Sequence, residues 1–537
     1  MERTIVGWRH VARLSASLLA FATTGIATPA RSTTPSHYGV TISRHTTQNM
    51  AFLNGVYSAT ADNAYLNITD LKSALAAGSV EVTTGNGAGG DKMGDLHIEA
   101  GFTWSSGHAL TLDAYHSIFV DRAVVNAGPG ALTLTNNDGG TGGTFVYGTS
   151  GSVTIWSLTN ALTIDGHAFT LVGDVHTLAS DIAANPSGAY ALANSYDASK
   201  DGTYGSAPIP TTFTGAFEGL GNVISNLTIS DSTDVAAGLF ASLGVNGAIS
   251  DIGVTNANVT LTPSSGGGGA GALVAGIQGG TVSGAYSSGS IAGTGSLGGL
   301  VGFESGGNGA TQILRSHSTA TVSATGSNAY VGGLVGGTEL AVIANSYATG
   351  SVIAGTDALG GGLVGDLEDS VVQYCFATGS VTIGPEVNNI AAAGGLIGWS
   401  YASARFGGSV VSSYAEGAVT GGDYAVVGGF MGLAWRDNRK GGGGMYSGSY
   451  STGKPTGGEA DGGFVGARID VHDMVDEYWD TTTSGKAKAV GQGRARGITG
   501  VTTAQLQTAF GSDPTVWAEN PDINDGLPYL VSNPPPQ

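Results

Sequence analysis

Carboxylate and aromatic residues recur at one place in this chain, just after a repeated glycine-rich run. Counting from the central apolar residue of that run, Glu304 lies four residues on, and Glu339 and Glu368 lie five on. Tyr401 and Trp435 hold the fifth place in later copies. If the copies stack, carboxylates line up beside aromatic rings. Carboxylates accept hydrogen bonds from hydroxyls and attract cations, and flat rings offer a face to C–H surfaces. That combination suits a cation or the face of a sugar. The plainer alternative is that each position sits in a solvated loop that needs some charge.

Other chemistry-bearing patterns are incomplete. Gly448-Ser449-Tyr450-Ser451-Thr452-Gly453-Lys454 follows most of a phosphate-loop pattern, but Pro455 stands where a metal-binding hydroxyl is required, and such a loop must open a helix. The ten histidines include no His-Glu-x-x-His pair for zinc, and no Gly-x-Ser-x-Gly nucleophile elbow occurs. Gly89-Gly90-Asp91-Lys92-Met93-Gly94-Asp95 resembles a single calcium-binding turn, whereas such turns work as stacked arrays. Cys375 is the only cysteine, so no intramolecular disulfide forms. It stands where a sister repeat has Ser346, and packing is its expected role rather than thiol chemistry. No catalytic residue, metal ligand or cofactor is expected.

The elements that position these residues follow from the repeat. Gly298-Gly299-Leu300-Val301-Gly302 returns at Gly332–Gly336 and Gly361–Gly365, with variants at 394–398, 428–432 and 462–466 and weaker copies around Leu239 and Leu273. The central apolar residues fall 27 to 34 apart. A period in that range marks a solenoid, each repeat forming one layer. Every repeat reads as three strand-like parts: the Gly-Gly-Leu-Val-Gly run, a run ending in Tyr-Ala-Thr-Gly, and a Ser-Val-x-x-Gly run. Leu and Val of the first part are expected to alternate between faces, and glycine to supply tight, positive-φ corners. Upstream, short alternating strands such as Ala109 to Ala114 and Ala131 to Thr135 suit a sandwich or a β-helix. Helices are expected only at Asp70 to Ala77, Asp181 to Ala184 and Thr503 to Phe510.

Glycine accounts for 92 of 537 residues, charged residues for 11% and hydrophobic ones for 41%. Scarce charge with that hydrophobicity supports a packed core rather than disorder. A formal net charge of -20 repels phosphate backbones and anionic headgroups, so neither a nucleic-acid partner nor electrostatic membrane binding is expected, and with no other long apolar segment direct membrane insertion is not expected either. Lys486, Lys488, Arg494 and Arg496 form a local basic exception, read as a solvated loop or, less simply, a dock for an anionic glycan. Arg3, Arg9 and Arg13 precede a mostly apolar stretch from Leu14 to Ala27, with small residues for cleavage after Ala27 or Ala30. Residues 1–30 therefore read as a secretory signal, whose apolar stretch from Leu14 to Ala27 falls short of the roughly 20 residues that span a bilayer.

Residues 238 to 466 resemble the GLUG repeat, named for its Gly-Leu-x-Gly core, of bacterial secreted and surface proteins. Phe102-Thr103-Trp104-Ser105-Ser106-Gly107 with Ala109 to Ala114 resembles repeats of filamentous-haemagglutinin-like adhesins, though the Asn-Pro-Asn-type motifs of their secretion domain do not occur. Tyr478-Trp479-Asp480 and Asp525-Gly526-Leu527-Pro528-Tyr529-Leu530 resemble the ends of such chains. The expected architecture is an all-β, right-handed parallel β-helix with a small C-terminal cap over the last coil. Its segments are a signal peptide (1–30), adhesin-like strand repeats (31–211), a GLUG-repeat solenoid (212–478) and a cap with a Pro-rich tail (479–537). The resemblance implies a bacterial, secreted or cell-surface monomer acting by binding a glycan or surface protein, without catalysis. The rivals are a purely structural fragment of a larger adhesin and a polysaccharide-processing β-helix enzyme. The enzyme would need several Asp or Glu with Arg or Lys converging across adjacent coils, and no stretch of sequence mixes both signs that way.

Overall fold

The computed structural model describes residues 38–85, 94–263, 267–305, 311–403, 407–437, 444–471, 474–511 and 513–536. The signal-like segment 1–30 and most of the calcium-like turn, 89–93, lie outside the described residues. Among those described, the chain is all-β, about 12 stacked parallel coils with four short helices. Among the described residues no helix is long and apolar enough to cross a membrane.

In the first stack, alternation makes the strands. Leu110 and Leu112 are buried while Thr111 and Asp113 are half-exposed, and the same pattern repeats in register at Leu132–Thr135 and Leu162–Ile164. Three strands complete a coil: Leu96–Ile98, Phe102–Trp104 and Leu110–Asp113 lie under Ile118–Val120, Val124–Asn126 and Leu132–Thr135. Like residues thus stack on like, each buried Leu or Ile contributing about 1.5–3 kcal/mol. Helix α1 (Ile68–Ala77), capped by the Asn67 side chain accepting from Thr69 N–H, adds Leu71 and Leu75 to this core.

Between the two stacks the polarity changes at a hairpin. Asp165 and Gly166 both have positive φ (47° and 78°), as a two-residue hairpin turn requires. His167–Val172 returns antiparallel to Leu162–Ile164 and then pairs in parallel with Ala189–Leu192. Helix α2 (Val175–Ala184), capped by Asp174, spans the expected turn at 181–184 and begins earlier.

In the second stack a coil carries five short strands, not three. The coil at Tyr330 runs through Tyr330–Gly332 (face I), Val335–Glu339 (face II), Ala341–Ala344 (face III), then Tyr347–Ala348 and Val352–Ala354 (both face IV). The Gly-Gly-Leu-Val-Gly run is the corner between faces I and II rather than one strand. Leu334 and Val335 are both fully buried, as are Leu300 with Val301 and Leu363 with Val364, so the expected alternation between faces does not hold. Nor do the glycines of the run adopt positive φ. They are required by close approach: a Cβ on Gly332 would lie 1.9 Å from Val335 O, and one on Gly333 2.1 Å from Gly362 O. The left-handed corner lies between faces III and IV instead. Asp251, Gly284, Arg315, Asn345, Tyr374 and Ser412 hold it in successive coils, with φ between 45° and 61°.

Two ladders finish the second stack. Inside, the Ser316 N–H donates to Ser346 Oγ, Cys375 N–H to Ser413 Oγ, and Ser413 N–H to Ser449 Oγ. Cys375 replaces a serine in this ladder as expected; it is buried, and burial pushes its thiol up to about 12. Outside face IV, the rings of Tyr286, His317, Tyr347, Phe376, Tyr414 and Tyr450 stack at 4.5–5.2 Å, within 7° of parallel.

The C-terminal segment covers that aromatic ladder. Helix α3 (Thr481–Ser484) and the rung Ile498–Val501 extend the stack. Helix α4 (Thr503–Leu506) starts at a Thr502–Gln505 capping box and is shorter than the expected 503–510. Leu506, Phe510, Trp517 and Leu530 then pack over Phe376, Tyr414 and Tyr450. Asn533 donates to Ser346 O and Tyr374 O, several coils back. The expected cap over the last coil is therefore a strap along the flank.

Candidate functional site

Because their shared corner is pinched by glycine, faces I and II turn their outward sides toward each other. A groove results. Leu359 and Ala392 from face I meet Leu433 and Ala467 from face II there, with Tyr330, Val426 and Trp399 half-buried against them. Upstream the same groove is open, a cavity of about 460 Å³ bordered by Ala236, Gly269 and Ser296 on face I and by Ala275 and Phe303 on face II.

The predicted ladder runs along the outer strand positions of face II. Parallel register pairs Glu339 with Glu368, Glu368 with Tyr401, and Tyr401 with Trp435. Glu339 is exposed and the other three are half-buried. Glu304 does not join them. It pairs with buried Ile277 and is itself fully buried, because a fourth place and a fifth place on a strand point to opposite faces. Its Oε2 accepts from Glu339 N–H at 2.8 Å, Oε1 has no partner, and burial pushes the carboxyl up to about 7.

Two residues back along the same strands lies a second outward row, which the count from the glycine run does not reach. Register places Asp366 beside Trp399, and Trp399 beside Leu433. Strand alternation from Glu368 and Tyr401 would have found both. The Trp399 and Trp435 rings stack at 6.0 Å, Trp399 lies 6.1 Å from Tyr401, and Tyr401 meets Trp435 edge-on at 5.5 Å. Asp366 is 7% exposed, and burial first, then Glu368 and Glu339, push its carboxyl up to about 8. Burial with Asp366 and Glu368 also pushes Tyr330 up to about 12. Asp366 Oδ1 and Trp399 Nε1 are buried without a hydrogen-bond partner, and buried polar groups are ordinarily paired.

The arrangement offers three ring surfaces, one carboxyl held protonated near neutrality, and two further carboxylates, all on rigid strands. Hydroxyl-rich ligands with an apolar face fit such a surface. No group of three or more His, Cys, Asp or Glu among the described residues is placed to hold a metal ion, and with Glu304 turned inward the carboxylate ladder shortens to two rungs. Of the basic cluster, Lys486 pairs with Asp461 at 2.5 Å, while Lys488, Arg494 and Arg496 are exposed. The phosphate-loop-like segment is a strand, Tyr450–Ser451, followed by another rather than by a helix.

Comparison with known proteins gives matches to parts of the chain. Halomucin of Haloquadratum walsbyi is 30% identical over 188 residues, 34% of this chain and 2% of that protein's length. Among solved structures, an IgA1 protease aligns over 50% of this chain and 21% of its own, with 22% identity and a TM-score of 0.38. A Bacteroides ovatus protein named as an immunoglobulin A1 protease aligns over 68% of this chain and 93% of its own, with 17% identity and a TM-score of 0.35. The GLUG motif matches residues 327–353, the coil that supplies Tyr330 and Glu339 to the groove, and the chain is accordingly a β-solenoid carrying a GLUG motif.

Proposed function

We propose that this chain is an exported, adhesin-like solenoid that acts by binding, and that the groove between faces I and II holds the face of a glycan chain. The supporting observation is the cluster of Trp399, Tyr401 and Trp435 on in-register strands beside Asp366, Glu339 and Glu368. Aromatic rings stack on the C–H faces of sugars, and carboxyl groups exchange hydrogen bonds with their hydroxyls. The signal-like residues 1–30 and the adhesin-like strand repeats support export and a surface role. Each contact is weak, and repetition along a groove multiplies weak contacts through effective concentration.

A glycan array and a cell-adhesion assay with wild type and the Tyr401→Ala/Trp435→Ala pair test this. The expected result is retained folding with lost or strongly weakened binding in the pair. Unchanged binding rejects the groove, and reproducible cleavage of a polysaccharide by the purified chain rejects action by binding alone.

A further inference from the structure

The hinge between the two stacks encloses a cavity of about 490 Å³. Groups of both charge signs meet there, although the sequence keeps them far apart. Asp251 and Arg315 hold the left-handed corner between faces III and IV two coils apart, with Gly284 holding it between them. Glycine at that middle corner leaves room for the Asp251 carboxylate, since a Cβ there would lie 2.0 Å from Asp251 Oδ1. The Arg315 guanidinium is exposed and donates from Nη2 to Thr144 Oγ1 (2.8 Å), which belongs to the last coil of the first stack.

Glu218 lies one coil before Asp251, in register with Ser250. It is 8% exposed and accepts from Leu220 N–H through Oε1 (3.0 Å). Asp251 is 7% exposed, and the charge that acts on its carboxylate is the Arg315 guanidinium. Phe145 and Phe169 add ring surface to the cavity, and Asp165 adds a third carboxylate at its hairpin edge. Asp251 and Arg315 also line a neighbouring cavity of about 350 Å³ with Tyr147 and Tyr286, so the pair stands between two recesses. Convergent polar groups on partly apolar walls are the form of a small-molecule site.

We propose that this junction cavity is a second ligand site, shaped for one neutral pyranose ring. The sugar's hydroxyls donate to Asp251 and Glu218 and accept from Arg315, and its C–H face lies on Phe145 or Phe169. The single guanidinium already faces Asp251, with Asp165 at the cavity edge, so no unmatched positive charge is left for an acidic sugar. Burial pushes Asp251 up to about 7 while Arg315 pulls it back, so near neutrality the carboxyl serves as donor and as acceptor. The site is separate from the groove between faces I and II and does not rest on the reading of that groove.

Saturation-transfer NMR with the full chain and a panel of free sugars tests it: glucose, galactose, mannose, fucose, N-acetylglucosamine, N-acetylgalactosamine and glucuronate. At least one neutral sugar is expected to bind in the millimolar range. Its affinity should fall at least about tenfold in Asp251→Asn and in Arg315→Ala, the second replacing an exposed side chain, and persist in Trp399→Ala/Trp435→Ala. The proposal is overturned if no neutral sugar binds below about 50 mM, if only glucuronate binds, or if binding survives both junction variants. Loss confined to the groove pair also overturns it, by assigning the binding to the groove.

Discussion

Replacing Asp366 with Asn should make the protein's stability less sensitive to pH. Asp366 is 7% exposed, with Oδ1 unpaired, and its carboxyl is pushed from an ordinary 3.8 to about 8. A carboxyl whose folded value is raised binds a proton more tightly when folded. Its contribution is therefore complete below about pH 4 and is lost as pH rises through about 8. A gap of about four units at ~1.4 kcal/mol each sets a ceiling near ~6 kcal/mol, and water penetration and local relaxation reduce this to about 2–3 kcal/mol. Asn keeps the shape and cannot ionise. Glu304 and Asp251, both raised to about 7, lower stability in the same direction but are common to both proteins. Urea unfolding followed by circular dichroism from pH 4.5 to 9 should show Asp366→Asn gaining about 2–3 kcal/mol on wild type across that window. A difference that stays constant within ~0.5 kcal/mol would show that the carboxyl is ionised and solvated, refuting the burial argument.

Further outcomes follow from the coil. Leu334→Ala and Val335→Ala should both destabilise, by about 2–5 and 1.5–3 kcal/mol in urea unfolding, because both side chains are fully buried. Gly333→Ala should be at least as harmful despite adding one methyl, since its Cβ would meet Gly362 O at 2.1 Å, and reduced soluble yield and melting temperature would report it. Cys375→Ser should cost less than about 1.5 kcal/mol, since serine already fills that rung in neighbouring coils, and the native thiol should resist modification by a thiol reagent until the chain unfolds. Truncation before Leu506 should expose the Phe376–Tyr414–Tyr450 rings, read as increased binding of a hydrophobic dye.

The fold was legible because a solenoid writes its geometry as a period. The spacing of Leu300, Leu334 and Leu363 already implies stacked coils, and the rungs Glu339–Glu368–Tyr401–Trp435 pair as counted. Finer detail was not legible, for physical reasons. A run of Gly-Gly-Leu-Val-Gly is short enough to be a strand or a corner, and only the contacts of Gly332 and Gly333 decide for the corner. Glu304 leaves the outward ladder because one residue of offset reverses a strand side chain. Sequence does not separate a strap from an end cap, because Trp517 and Leu530 carry no sign of whether they cover an end or a flank. Asp251 and Arg315 lie 64 positions apart in the numbering, so only the stacking of their corners brings them to one cavity.

The central claim, that the groove between faces I and II receives a glycan, is tested most directly by tryptophan fluorescence during titration with an oligosaccharide selected on the array. Trp399 and Trp435 should report saturable binding, and Trp399→Ala/Trp435→Ala should lose both the signal and the affinity measured independently by calorimetry. Calorimetric affinity unchanged in that pair would contradict the account.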